Sequence, residues 1–173
     1  MTTDDDWFSI EQPEQDAVDS IAALWVELAD GQRAHGSHLL AEANRDRIER
    51  QISQHVVAGT VRIARADGSI VGFVTFGLES ESYRQAVTRG VVHNIYVVES
   101  ARNREIGSAL LAAAETALSD RGVDAIALEA MAENEAARRF YRRHGYSSHR
   151  VEMERQLDRE DSTESDTLRT EER

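Results

Sequence analysis

Apolar residues in the first part of the chain fall at helical spacing. Ala17, Val18, Ile21, Leu24, Trp25 and Leu28 form one stripe that Gly31 and Gly36 interrupt, so a helix is expected to begin near residue 17. Ile48, Ile52 and Val56 predict a second helix over about 44–57. The pattern then changes. Residues 61–66 and 70–78 flank Asp67-Gly68, the clearest hairpin signal in the chain. Residues 79–86 are polar and read as a loop, and 88–98 read as a long strand. Ile106, Leu110, Leu111, Ala114, Ala117 and Leu118 mark a core-facing helix, closed by Arg121-Gly122. A strand over 123–131 and a helix over 134–144, stopped by Gly145, follow. Residues 7–10 suit a short first strand, and 147–157 an extended segment with Val151, Met153 and Leu157 facing inward.

This order, strands before helices early and then strand-helix-strand alternation, predicts an α/β (mixed α+β) domain with a mixed sheet covered by helices on both faces. The single domain is expected to span 1–157. Beyond Asp158 the chain is charged or small and polar, with Leu168 its one apolar residue, so 158–173 is expected to be an acidic disordered tail.

Composition narrows the chemistry. The chain has no cysteine, which removes disulfides, thiolate metal sites and a cysteine nucleophile. All 20 basic residues are arginine, so neither a P-loop lysine nor a Schiff-base lysine is available. The formal net charge of -12 argues against nucleic acid as the main partner. An acidic, lysine-free chain also resembles the cytoplasmic proteins of halophiles. In molar salt the Debye length falls to about 3 Å, and self-repulsion is largely screened. The N-terminus lacks the basic and apolar regions of a signal peptide, and no apolar run approaches the roughly 20 residues needed to span a bilayer. A cytoplasmic protein with no membrane partner is the expectation.

Two motifs carry chemistry. Arg102-Asn103-Arg104-Glu105-Ile106-Gly107-Ser108 stands between the long strand and a helix. There, backbone N–H groups and the helix dipole favour a phosphate. Further on, Asn134 and Tyr141 stand seven residues apart, on one face of a short helix. A phenol is neutral at pH 7 and can donate a proton. Asn134 also suits an ordinary helix N-cap.

The order strand, anion turn, helix, strand and Asn/Tyr helix closely resembles the core of the GCN5-related N-acetyltransferases, the GNAT family, over roughly residues 7–157. The resemblance implies a mostly antiparallel mixed sheet, splayed where acetyl-CoA enters between the long strand and the strand over 123–131. It implies acetyl transfer from acetyl-CoA to a primary amine by direct attack, with Tyr141 protonating the departing thiolate. Arg102, Asn103, Arg104, Glu105, Ile106, Gly107 and Ser108 would hold the pyrophosphate, and Asn134 the pantetheine arm. A bulge near the end of the long strand would free the N–H of Val97 or Val98 for the thioester oxygen. Glu105 departs from the family pattern, which has glycine at that place.

The general base is open. Many relatives carry a Glu where this chain has Asn94, which cannot act as one. His93 is expected on the opposite face of the strand, by side-chain alternation. Glu79 and Glu81 are further candidates, and a water chain is another route. Trp25, Glu27 and His35 would border the acceptor pocket by analogy of position. His35 and His38 do not form a metal site by spacing, because Gly36 breaks the helix that would align them. The amine acceptor is a small molecule or a protein, and a homodimer is possible by resemblance. The alternative function is an acyl-CoA-binding sensor or regulatory subunit with little turnover. A module that kept only the fold and binds no acetyl-CoA is a third reading.

Overall fold

The structure, a computed structural model, describes residues 7–80 and 84–157. Among these the strands are β1 (Phe8–Glu11), β2 (Val61–Ala66), β3 (Ser69–Leu78), β4 (Arg89–Val97) and β5 (Ala125–Leu128). The helices are α1 (Val18–Arg33), α2 (Arg45–Ala58), α3 (Ile106–Ser119) and α4 (Glu135–Arg143). The strands form one sheet in the order β1-β2-β3-β4-β5. Every neighbouring pair is antiparallel except β4 with β5. The fold is therefore the expected mixed α/β sheet. Glu81 and the predicted tail over 158–173 lie outside the described residues.

Strand alternation sends the two sides of the sheet to different helices. Val61, Ile63 and Phe73 face α1 and α2, where Ile21, Trp25, Ile48 and Ile52 are buried against them. Ala64, Val74, Phe76 and Val92 face α3, with Leu110, Leu111, Ala114 and Leu118. Each fully buried Leu, Ile or Phe contributes roughly 1.5–3 kcal/mol relative to exposure. The β2–β3 turn has φ 48° at Asp67 and 78° at Gly68. Two successive positive φ values are the type I′ pattern that matches strand twist, which explains why Asp-Gly stands there.

Three local expectations change. Gly31 does not end α1, which runs on to Arg33. Its exposed position tolerates a glycine within the helix. The strand expected over 123–131 is ladder-paired only over Ala125–Leu128. The segment over 147–157 is not a strand, and Val151, Met153 and Leu157 face outward at 77, 86 and 76% exposure. Alternation alone does not make a strand without a ladder partner, and β5 pairs only with β4. The segment is tied instead to the α1–α2 connection, where His38 Nε2 meets both carboxylate oxygens of Glu154 at 2.9 and 3.0 Å. None of the helices among the described residues is long and apolar enough to cross a membrane.

Candidate active site

The site begins with a bulge. Thr75 pairs with Asn94 and Phe76 with Val92, so His93 is an extra residue on β4. A bulge bends its strand and breaks the side-chain alternation. His93 consequently shares a face with Asn94, not the opposite face expected. Asn94 Nδ2 donates to Thr75 Oγ1 at 3.0 Å, and the His93 ring lies 5.8 Å from that of His55 in the last turn of α2. The pairing of β4 with β5 ends at Val92 and Leu128. The sheet therefore opens at the bulge, and β4 continues to Val97 with its β5-side edge unpaired.

That free edge carries backbone donors. Val98 donates its N–H to Val71 O at 2.9 Å, back across the sheet. Neighbouring residues of an antiparallel strand point their N–H groups to opposite sides, so the Val97 N–H points to the open edge. Of the two expected donors, Val98 is thus engaged and Val97 is available. The bulge itself lies at His93, not at the strand end. Arg102 Nε donates to Val97 O at 2.9 Å, and its guanidinium lies 5.5 Å from the Tyr96 ring centroid. That contact anchors the following turn to β4.

The turn that follows gathers backbone donors. Asn103 has φ 60° and Glu105 φ 66°, both left-handed, and α3 starts at Ile106 without a side-chain cap. Left-handed residues in a turn gather successive N–H groups into a concave nest. The N–H groups of Ile106, Gly107 and Ser108 precede the first intrahelical bond, Ala109 N–H to Glu105 O at 3.0 Å. Arg104 stacks 4.2 Å from the Trp7 ring centroid. A Cβ on Gly107 would lie 3.5 Å from the Phe140 ring and 4.0 Å from Val97 Cγ2. The end of β4, the start of α3 and α4 thus meet around Gly107.

Asn134 is the N-cap of α4, and its Oδ1 accepts the Ala137 N–H at 3.0 Å. The cap uses the carbonyl oxygen and leaves the amide NH₂ without a partner among the described residues. Tyr141 is two turns on, mostly shielded, and burial pushes its pKa up to about 12. The phenol is therefore held in its proton-bearing form. Tyr146 follows the helix, 6.0 Å from Tyr141 between ring centroids, and donates to Glu115 Oε1 at 2.8 Å.

The chain matches the acetyltransferase (GNAT) family over residues 6–146. The chain belongs to the GNAT family. Solved structures agree on the fold. A GCN5-related N-acetyltransferase from Ralstonia eutropha JMP134 is 22% identical, with TM-score 0.69, covering 87% of this chain and 98% of that one. An aminoglycoside N-acetyltransferase in complex with CoA is 20% identical, with TM-score 0.68, covering 86% and 94%. A putative acetyl transferase from Pyrococcus furiosus is 21% identical, with TM-score 0.67, covering 87% and 99%. No curated protein matches this chain.

The remaining candidates divide. His93 sits at the point where this GNAT sheet opens, and desolvation lowers its pKa below 6.5. Glu79 is not brought to the opening. It pairs with Arg89 at 3.4 Å, with both side chains largely covered, at the start of β4 where β5 is still paired. That end lies four residues, roughly 13 Å along the strand, before the bulge at His93. Trp25 is buried in the core and is unavailable to an acceptor. Glu27 of α1 instead reaches β4: Tyr96 Oη donates to its Oε2 at 3.0 Å. No sequence signal pairs those two residues, because they are far apart in the chain and meet only through packing.

Proposed function

We propose that the protein is an acetyl-CoA-dependent N-acetyltransferase acting on a primary amine by direct attack. The supporting observation is the convergence at Gly107 of an unpaired β4 edge, an uncapped helix start and the Tyr141 helix. Such surroundings suit an extended anionic thioester. Acetyl-CoA supplies the activated acyl group. The first turn of α3 takes its diphosphate through the N–H groups of Ile106, Gly107 and Ser108, and the Asn134 amide faces the pantetheine arm. The Val97 N–H donates to the carbonyl oxygen as negative charge develops there. His93, neutral at pH 7, accepts the amine proton directly or through water. Tyr141 gives its proton to the departing sulfur.

A cytoplasmic setting and molar salt remain part of this reading, supported by composition. The binding-only alternative draws its support from Glu105, whose carboxylate stands at the anion turn. One experiment separates the two: calorimetric titration of acetyl-CoA in molar KCl, followed by turnover on an amine panel. Micromolar binding with turnover supports transfer, and binding without turnover on any amine supports the sensor. A folded protein with no detectable binding overturns both. In the active case, Tyr141→Phe should lower kcat by about 10²-fold or more at near-constant acetyl-CoA affinity.

A further inference from the structure

Helix α4 has no fully buried residue, so a few contacts set its place against α3. One of them reaches the phosphate turn itself. His144, at the C-cap of α4, has Nδ1 2.8 Å from Phe140 O and Nε2 3.0 Å from Ser108 Oγ. A carbonyl oxygen only accepts, so Nδ1 carries the proton. The other nitrogen of the neutral ring is then an acceptor, and the Ser108 hydroxyl donates to it. The His144 ring is further fixed by Phe140, 4.4 Å away between centroids, which itself packs over Gly107. Two adjacent residues of that turn, Gly107 and Ser108, are thus gripped by Phe140 of α4 and by His144 at its C-cap, on either side of Tyr141 in sequence.

We infer that His144 is a positioning residue for acetyl transfer: by bridging the Phe140 carbonyl and the Ser108 hydroxyl, it locks α4 and the Tyr141 phenol onto the diphosphate-binding turn of α3. The inference rests on the acetyl-transfer reading. His144 touches no reacting atom. It fixes the distance between the turn that anchors the cosubstrate and the phenol that must meet its sulfur. A misplacement of about 1 Å in such a relation can lower turnover 10²-fold. A contact that served only the phosphate would change KM and leave kcat alone.

The test uses four variants of the full chain, with melting curves to confirm folding. His144→Asn keeps a donor toward Phe140 O and loses the Ser108 bond. Ser108→Ala breaks the same bond from the other side. Tyr141→Phe, alone and combined with His144→Asn, completes a cycle. With both substrates saturating, His144→Asn and Ser108→Ala should each lower kcat about tenfold. In the Tyr141→Phe background, His144→Asn should change kcat by less than about twofold, because no phenol is left to place. Unchanged kcat in His144→Asn and Ser108→Ala, in a parent that turns over, overturns this inference alone. An equal tenfold loss in the Tyr141→Phe background does the same. A folded parent that binds no acetyl-CoA overturns the acetyl-transfer reading and this inference with it.

Discussion

Tyr96 Oη donates to Glu27 Oε2 at 3.0 Å and so ties the exposed face of α1 to the open half of β4. Burial and the neighbouring carboxylate raise the Tyr96 pKa, which keeps the phenol a donor to Glu27. The pair borders the side of the sheet opposite α3, which the proposed reading gives to the amine. Tyr96→Phe frees the Glu27 carboxylate and should change the amine KM by roughly three- to tenfold while leaving the acetyl-CoA KM unchanged. Steady-state kinetics with each substrate varied in turn checks this. Because Glu27 is exposed, stability should change by less than about 1 kcal/mol.

Glu105 holds the left-handed conformation, φ 66°, that the family pattern assigns to glycine. A side chain there is strained by about 1–2 kcal/mol, and its carboxylate adds negative charge at the start of α3. Glu105→Gly removes both features. The greater freedom of glycine in the unfolded chain offsets part of the gain. Thermal stability should stay level or rise by up to about 1 kcal/mol, and acetyl-CoA should bind more tightly, by roughly three- to tenfold. Calorimetry and melting curves at one fixed salt concentration measure the two effects. Weaker acetyl-CoA binding by the glycine variant would mean that the carboxylate contributes to the site.

Gly72 lies on β3 opposite Val97. A Cβ there would be 2.7 Å from the backbone oxygen of Tyr96 and 3.1 Å from Leu110 Cδ1. The backbone of β4 cannot move aside without disturbing the bond from Val98 to Val71 O. Gly72→Ala should therefore destabilise the fold by about 1–3 kcal/mol and also lower kcat by displacing the Val97 N–H. Denaturant unfolding together with single-substrate kinetics would test this. A stable variant with full activity would show that β4 can shift freely at that point.

His55 and His93 both have pKa values lowered from 6.5, chiefly by burial; His93 lowers that of His55 further, and Glu129 partly opposes the shift at His93. The unfolded chain then takes up protons at higher pH than the folded one. Stability should be fully present above about pH 6.5 and fall as pH drops through the lower folded values. Chemical denaturation at pH 8, 6.5 and 5.5 should show this decline, and His55→Gln should flatten part of it. The same sign applies to catalysis. The acid limb of the rate profile should lie below pH 6.5, and His93→Gln should remove it. No alkaline limb should come from Tyr141 below its pKa of about 12.

Much of this protein was legible in local patterns. The α3 face of Leu110, Leu111, Ala114 and Leu118, the Asp67-Gly68 turn and the Asn134 cap each express a preference of a few neighbouring residues, and those preferences survive into the fold. The order of Arg102, Gly107, Asn134 and Tyr141 was enough to indicate the family, because a phosphate turn and a phenol helix need particular side chains at particular spacings. Other features depended on pairing between distant strands. The bulge at His93, the choice of Val97 over Val98 and the position of Glu79 beside Arg89 all follow from the register of β4 against β3 and β5. A bulge carries no side-chain signature, and backbone N–H groups look alike in sequence. Val151, Met153 and Leu157 alternate like a strand, but only the tertiary structure shows that no sheet edge receives them. Local chemistry determined the elements and the motif, and long-range hydrogen-bond register decided which of their atoms face the site.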